Sequence, residues 1–196
     1  MNLADMRINV RRDLKDEDSS AYRWTNDEID RAIARAVREF SLYVPCEMMS
    51  ALATVSGSIA LDIATLTDRI TVDRLEFPIS NEPRTFTRFE VYQDTLTFLE
   101  TEGDGTNCNV YWTKVHTLDA TTSTIPTRYE DLVALGASAY AALAQSQYST
   151  NRANYGGDNV DRDYLTWGEA RLREFRTGCK GAPKKLKMNK LIAEDY

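Results

Sequence analysis

The chain contains 196 residues, of which 42% are hydrophobic and 28% charged, an ordinary composition for a globular protein with a core. Its net charge of −6 and pI of about 4.9 argue against a surface that binds nucleic acid over its whole extent. Cys46, Cys108 and Cys179 are widely spaced and odd in number, which indicates neither a disulfide framework nor a zinc site and fits a reducing compartment. The sequence begins without an apolar signal segment and contains no window apolar enough for a bilayer, so we expect neither secretion nor membrane contact.

Two helices are predicted in the first 50 residues. The first covers residues 2–15, where apolar side chains recur at helical spacing: Leu3, Met6, Val10 and Leu14. The second begins after Thr25, which is a good N-cap because Glu28 follows three residues later and completes a capping box. Trp24 precedes the cap and is placed to pack on Ile29, and the helix should end before Pro45.

Residues 51–118 change in character, because β-branched and aromatic residues become frequent and turn residues separate short runs. The candidate strands are residues 53–55, 58–61, 69–77, 85–92, 95–100 and 109–115. A tight connection is expected at Gln93 and Asp94, and a hairpin loop at residues 102–107. This pattern predicts a small antiparallel β-domain that leans on the helices or on a partner, since so few short strands are marginal alone.

The third helix, within residues 125–148, is apolar on every side. Thr127 is a candidate cap with Glu130 three residues on, and from residue 131 to 144 only Asp131 and Ser138 are plainly polar. Such a helix must be covered all round, by its own chain and by a neighbouring subunit if one is present. A polar segment then leads to a fourth helix over residues 159–177, which Gly178 can terminate.

These elements predict an α+β protein. Its core is a four-helix bundle, with helices one and two in residues 1–50 and helices three and four in residues 121–178. An antiparallel β-domain, residues 51–120, is inserted between helices two and three, and residues 179–196 form an extended C-terminal tail.

No catalytic, cofactor-binding or metal-binding site is expected from the residues. His116 is the only histidine, and a single histidine beside a strand is far more often structural than catalytic, since a general base needs an activated partner. Glu100, Glu102 and Asp104 lack the spacing of a calcium loop, so a solvated acidic loop is the more frequent explanation. Trp24, Tyr140, Tyr164 and Trp167 are candidates for a subunit interface, although core packing is the commoner role of such residues.

The C-terminal region is strongly basic. Residues 176–190 contain six basic and no acidic side chains, a charge of +6, and the rest of the chain therefore carries −12. Either this is a solvated basic terminus, or it is an arm that docks on an acidic partner surface or on nucleic acid. Apolar residues interleave with the lysines, which favours a groove in a protein. The candidate docking residues are Lys180, Lys184, Lys185, Leu186, Lys187, Met188, Lys190, Leu191 and Ile192.

The order of these segments resembles the head-tail adaptor (connector) proteins of tailed bacteriophages. The matching segments are RWTNDEIDRAIARAVREF (residues 23–40), VYWTKVHTL (110–118), STIPTRYEDLVALGASAYA (123–141) and YLTWGEARLREF (164–175). The likeness extends to about Cys179 and lies in the order and character of the segments. The inserted β-domain occurs only in some members of that family, which leaves the tail-side partner open.

The resemblance implies a structural virion protein and no enzyme. Such proteins form rings, often of twelve subunits, under the portal protein and above a stopper, another tail-side neck protein or the tail tube. Genomic DNA passes through the lumen without specific binding, and C-terminal segments reach the portal, a role that would fall here to the basic tail. The location implied is the neck of the virion, and the host cytoplasm during assembly.

Two other classes stay open. A stopper or tail-terminator protein is one alternative, although those proteins are usually dominated by β-structure. A small helical nucleic-acid-binding regulator is another, supported by Arg31, Arg35 and Arg38 and weakened by the acidic body. An enzyme is the least favoured, because the residue types at hand assemble no nucleophile, base or metal cluster.

Overall fold

The computed structural model of the chain describes residues 1–150 and 160–182. This part is α+β, as predicted, with four α-helices and two antiparallel three-stranded sheets. The helices are α1 (Leu3–Leu14), α2 (Asn26–Tyr43), α3 (Glu130–Thr150) and α4 (Val160–Gly181). The strands are β1 (Cys46–Ala53), β2 (Ala60–Asp62), β3 (Arg69–Glu76), β4 (Phe89–Tyr92), β5 (Thr95–Phe98) and β6 (Asn107–Lys114).

The chain divides into two compact units. A β-rich unit comprises Met1–Leu3 and Val37–Thr127, and a helical unit comprises Ala4–Ala36 together with the described residues from Arg128 onward. The division after Ala36 falls inside α2, so the two parts of that helix belong to different units. The β-rich unit thus includes, besides the 51–120 expected from the sequence, the end of α2, the whole of β1 and the segment up to Thr127.

The start of α2 follows the predicted capping box. The Thr25 amide donates to Glu28 Oε2 at 2.8 Å, and the Glu28 amide donates to Thr25 Oγ1 at 3.3 Å. These two bonds satisfy donors that an α-helix leaves open at its first turn. The helix ends at Tyr43, two residues before Pro45, as the sequence predicts.

A buried ion pair organises the connection between α1 and α2. Arg11 pairs with Asp16, and the two side chains are only 7% and 6% exposed. Asp16 also accepts the amides of Arg23 at 2.7 Å and Trp24 at 3.3 Å, while Arg11 donates to the Trp24 carbonyl at 2.9 Å. The ring of Tyr22 lies 3.6 Å from the Arg11 guanidinium. The polar segment after α1 is therefore ordered by this pair, a feature that hydrophobic periodicity does not predict.

The third helix is covered on every side, as its apolar character predicts. All seven residues from Gly136 to Ala142 are buried, and seven residues make two full turns. The Trp24 indole donates to the Ala141 carbonyl at 3.2 Å, and the Arg35 guanidinium lies 4.1 Å from the centre of the Tyr140 ring. The start of the helix differs from the prediction: a 3₁₀ turn, Thr127–Tyr129, precedes Glu130, so Thr127 is not the residue directly before α3.

Glycines let α3 and α4 approach each other closely in an antiparallel pair. A Cβ atom on Gly136 would lie 2.8 Å from the ring of Phe175, which is fully buried. A Cβ atom on Gly168 would lie 2.9 Å from Leu143 Cγ and 3.2 Å from the Ala139 carbonyl oxygen. These separations are below ordinary van der Waals contact, so both positions require glycine for the observed packing.

The predicted end of the fourth helix was wrong. Helix α4 continues through Gly178 to Gly181, and Lys180 belongs to its last turn instead of to an extended tail. Gly178 serves packing here, because a Cβ atom on it would lie 2.6 Å from Leu132 Cδ1. A glycine near a predicted helix end has two explanations, and the sequence does not separate them.

The strands of the β-rich unit form two sheets with the orders β1-β6-β3 and β2-β5-β4. Both contribute to one apolar core, which includes Leu61, Ile63, Leu66, Leu75, Phe77, Leu96, Phe98, Cys108, Val110 and Trp112. Strands β4 and β5 form the predicted tight hairpin, with Tyr92 opposite Thr95.

Two strand predictions and one loop prediction need correction. The first strand is Cys46–Ala53 instead of residues 53–55, because its sequence CEMMSALA contains no β-branched residue and hides the alternation of inward and outward positions. The fourth begins at Phe89 instead of residue 85. The loop at residues 102–107 is not a hairpin, since β5 and β6 belong to different sheets; its backbone pairs instead with the segment after β1, where the Thr54 amide donates to the Thr106 carbonyl at 2.9 Å.

We predict that Gly136→Ala destabilises the helical unit by about 1–2 kcal/mol, since overpacking against Phe175 costs ~1–3 kcal/mol and the gain in helix propensity offsets up to ~1 kcal/mol. Gly181→Ala is the matched control, because a Cβ atom there meets nothing within 4 Å. Chemical denaturation followed by circular dichroism measures both changes. Equal stability of the two variants would contradict the close packing of α3 on α4.

We predict that Asp16→Asn lowers the free energy of unfolding by ~3–5 kcal/mol, because it leaves the buried Arg11 charge without its anionic partner. The control is Asp30→Asn, which breaks the pair of Arg7 with Asp30; those side chains are 31% and 30% exposed, so a loss of ~1 kcal/mol or less is expected. Chemical denaturation followed by circular dichroism measures both losses of stability. A loss at Asp16 no larger than that at Asp30 would contradict the organising role of this pair.

Candidate functional site

The four aromatic candidates for a subunit interface divide into two pairs. Trp24 and Tyr140 are 3% and 5% exposed, so the helical unit itself covers them and leaves almost no surface for a second subunit. Their role is therefore core packing, which is the commoner role of such residues. Tyr164 and Trp167 are only partly buried, and for these two the interface role stays a prediction.

Tyr164 and Trp167 line an open cleft of about 530 Å³ in the helical unit. The other lining residues are Asp13, Leu14, Lys15, Asp163 and Arg171. The Arg171 guanidinium lies 5.4 Å from the Trp167 ring, and the Tyr164 ring meets that of Trp24 edge-on at 6.0 Å. Partial removal from water raises the pKa of Asp13; Arg171 opposes that shift and Asp131 adds to it. The cleft thus offers an aromatic wall and charges of both signs, which suits a peptide side chain.

The predicted docking tail falls mostly beyond the described residues. Lys180 is exposed on the last turn of α4, where Cys179 and Ala182 are buried. The remaining candidates, Lys184, Lys185, Leu186, Lys187, Met188, Lys190, Leu191 and Ile192, lie outside the described residues.

His116 is a buried structural residue. It is 5% exposed, its Nε2 lies 2.9 Å from the Val44 carbonyl oxygen, and its Nδ1 lies 3.0 Å from Thr124 Oγ1. The neutral tautomer with the proton on Nε2 satisfies both contacts, since Nε2 then donates to the carbonyl and Nδ1 accepts from the hydroxyl. Its amide donates to Ser41 Oγ at 2.9 Å, and its ring packs on Phe40 at 5.4 Å. Burial lowers the pKa of His116, and this histidine therefore joins the end of α2 to the end of β6 in its neutral form.

The outward side of the sheet β1-β6-β3 holds a polar and aromatic cluster. The Tyr111 hydroxyl donates to Glu76 Oε2 at 2.7 Å and accepts from Arg84 Nη1 at 3.1 Å. The ring of Phe86 lies 6.2 Å from that of Tyr111, and the Arg74 guanidinium lies 5.5 Å from the Phe86 ring. Hydrogen bonding from Tyr111 lowers the pKa of Glu76, so this 4%-exposed carboxylate is ionised at neutral pH.

Large apolar side chains remain exposed next to this cluster. Met49 on β1 stands opposite Tyr111 in the strand register and is 57% exposed, and Phe86 is 45% exposed. We name the surface formed by Met49, Arg74, Arg84, Phe86 and Tyr111 the arginine–aromatic face. Sequence patterns missed this face, because its residues come from β1, β3, β6 and the connection after β3, and only the folded sheet brings these four segments together.

The acidic loop that follows β5 is held by local hydrogen bonds. Asp104 accepts from the Thr106 amide at 2.8 Å and from its hydroxyl at 2.6 Å, which lowers the pKa of Asp104. Glu100 pairs with Arg88 at 3.1 Å, and both of these side chains are well exposed. Within residues 1–150 and 160–182, no group of three or more histidine, cysteine or acidic side chains is placed to hold a metal ion.

Comparison of the sequence with models of known protein families and with curated proteins gives no match. Among the residues that the structure describes, no helix combines the length and apolar character needed to cross a bilayer.

We predict that the free energy of unfolding falls as the pH is lowered from about 7 to about 5. The unfolded state binds a proton at the ordinary histidine pKa near 6.5, whereas burial lowers the pKa of His116 in the folded state, so the stabilisation is complete above pH 6.5 and is lost below it. The slope has an upper limit of ~1.4 kcal/mol per pH unit, the value for one proton.

The measurement is urea denaturation across that pH range, with His116→Gln as the comparison. This variant is expected to be less stable at pH 7 and nearly independent of pH between 5 and 7. An unchanged slope in the variant would assign the pH dependence to other groups.

Proposed function

We propose that this protein is a head-to-tail adaptor of a tailed bacteriophage. In this proposal copies of the chain form a ring, of twelve subunits by analogy with that family, under the portal protein and above a stopper or tail tube. Helices α1 to α4 act as a four-helix bundle, and the β-rich segment between α2 and α3 acts as an inserted domain. The ring continues the channel through which DNA passes.

The observation that supports this function best is the exposed apolar surface of the β-rich unit. Nine large apolar side chains between residues 37 and 127 are at least 37% exposed: Leu42, Tyr43, Met49, Val55, Ile59, Phe86, Val91, Tyr92 and Leu99. In the described part of the helical unit only Ile8, Tyr22 and Leu165 have comparable exposure. A concentration of exposed apolar side chains is typical of surfaces that are covered in an assembly.

The helical unit supports the proposal in a second way. It buries α3 within one copy of the chain, so a subunit needs no neighbour to cover its most apolar helix. An adaptor that folds before it meets the portal requires this property. The segment order that resembles the adaptor family places the same helix at the centre of the bundle.

The distribution of charge along the chain supports the proposed DNA channel and the proposed docking role of the C-terminal tail. The chain without residues 176–190 carries −12, and a negative wall repels the DNA phosphates, which favours sliding over binding. The basic and apolar C-terminal residues have the chemistry to dock in a groove of an acidic portal surface by charge attraction followed by burial.

We predict that removal of residues 183–196 leaves a folded subunit that no longer binds its portal protein. The cut follows Ala182, because this buried residue still closes the last turn of α4 through its amide, which donates to the Cys179 carbonyl at 3.3 Å. Circular dichroism reports the fold, and co-sedimentation with the portal reports binding. Binding of the truncated chain at the full level would contradict the docking-arm role.

Two full-length variants separate charge from burial in the tail. In one, Lys184, Lys185, Lys187 and Lys190 become Gln, which should slow association and remove its salt dependence. In the other, Leu186, Met188, Leu191 and Ile192 become Ser, which should speed dissociation. A solvated terminus without a docking role predicts no effect of either set.

A further inference from the structure

The arginine–aromatic face has an unusual balance of charge. Glu76 is the carboxylate within the cluster, and Tyr111 and Asn109 donate to it at 2.7 and 3.2 Å, so it is covered and 4% exposed. Among the described residues, neither Arg74 nor Arg84 forms a salt bridge. The face therefore presents two guanidinium groups around apolar side chains, while the Glu76 carboxylate among them is covered.

The cluster also holds the two guanidinium groups in place. Tyr111 is anchored by its bond to Glu76, and Arg84 donates to the same hydroxyl at 3.1 Å. Arg74 lies over Phe86, which in turn packs against Tyr111. Guanidinium groups that are positioned before binding lose less conformational entropy when they meet a carboxylate.

The β-rich unit as a whole is acidic. Residues 37–127 contain 13 acidic and six basic side chains, a net charge of −7. Two such units repel each other in most orientations. Contact is favoured where the basic face of one copy meets a negative surface of the other.

The β-rich unit offers such a negative surface on the loops around residues 55–59 and 99–104. Val55, Ile59 and Leu99 are 66%, 51% and 47% exposed, and Glu102 and Asp104 are exposed beside them. Backbone bonds hold the two loops together, since the Gly57 amide donates to the Gly103 carbonyl and the Gly103 amide donates to the Ser58 carbonyl, both at 2.8 Å. We name Val55, Ile59, Leu99, Glu102 and Asp104 the acidic–aliphatic loops.

We propose that the arginine–aromatic face binds the acidic–aliphatic loops of a second copy of this chain. Each surface combines exposed apolar area with charge, and the charges are opposite. Because the two surfaces consist of different residues, the contact is heterologous, and a pair of copies still has one free surface of each kind. Repetition of such a contact builds a ring if the rotation closes. The inference deepens the proposed adaptor function by naming the contact between neighbouring subunits.

The test uses sedimentation velocity of the full chain at high protein concentration and low salt. Wild type should associate as concentration rises, and added salt should weaken the association. Arg74→Glu with Arg84→Glu, the face variant, should weaken it by at least about tenfold in Kd. The matched control reverses two exposed arginines of the helical unit, Arg31→Glu with Arg173→Glu, and should have little effect.

The second surface is tested by the loop variant, Glu102→Lys with Asp104→Asn. The asparagine keeps a side-chain oxygen for the turn with Thr106, and the change of +3 matches that of a control variant, Glu17→Lys with Glu169→Gln. The loop variant alone should also fail to associate, and circular dichroism confirms that each variant folds. Should the face variant fold poorly, Arg74→Gln with Arg84→Gln replaces it.

Mixing the face variant with the loop variant gives the sharpest result. Each has one intact surface, so the mixture should form a 1:1 complex and nothing larger. Association of either variant alone at the wild-type level, a mixture without complexes, or a wild type that stays monomeric would each overturn the inference. A ring on the portal that survives both variants would overturn this contact and leave the adaptor function standing.

Discussion

The burial of α3 on all its sides constrains the rest of the helical unit. A helix with no polar face is stable in water only if its neighbours cover the whole circumference. Gly136 and Gly168 allow α4 to approach from one direction. Trp24 covers another side, and its indole donates to the Ala141 carbonyl. The ion pair of Arg11 with Asp16 is hydrogen-bonded to the backbone of Trp24. This polar pair therefore positions the apolar side chain that covers α3.

Where the sequence predicted the fold well, the signal was local. The capping box of Thr25 and Glu28 fixed the start of α2, and the composition of residues 131–144 predicted the burial of the middle of α3, where residues 136–142 are all buried. Interactions between residues that are close together along the chain can be recognised from the sequence pattern. The long strand β3 was predicted for the same reason, since it contains three consecutive β-branched residues, Ile70, Thr71 and Val72.

The predictions failed where the role of a residue depends on a part of the chain that is distant in the sequence. Gly178 marks close contact with Leu132 instead of a helix end, and no local pattern distinguishes the two. Strand β1 lacks β-branched residues and is a strand because β6 pairs with it along its whole length. The arginine–aromatic face depends on strand register between β1, β3 and β6, which the sequence leaves undetermined.

The two units differ in the kind of surface that they offer. In the described part of the helical unit, Trp24, Tyr129, Tyr140 and Phe175 are buried, whereas Tyr164 and Trp167 line the open cleft and Tyr22 is 44% exposed. The β-rich unit exposes apolar side chains together with charges of both signs. Such a division suits a subunit in which one unit provides stability and the other provides contacts. In the adaptor function proposed, those contacts join neighbouring subunits, and the C-terminal residues join the portal.

The most direct test is electron microscopy of the chain mixed with the portal protein of the same particle. The adaptor function predicts a closed ring of copies on one end of the portal, with an open axial channel continuous with the portal channel. Copies that bind the portal singly without closing a ring, or that leave it bare at saturating concentration, would contradict it.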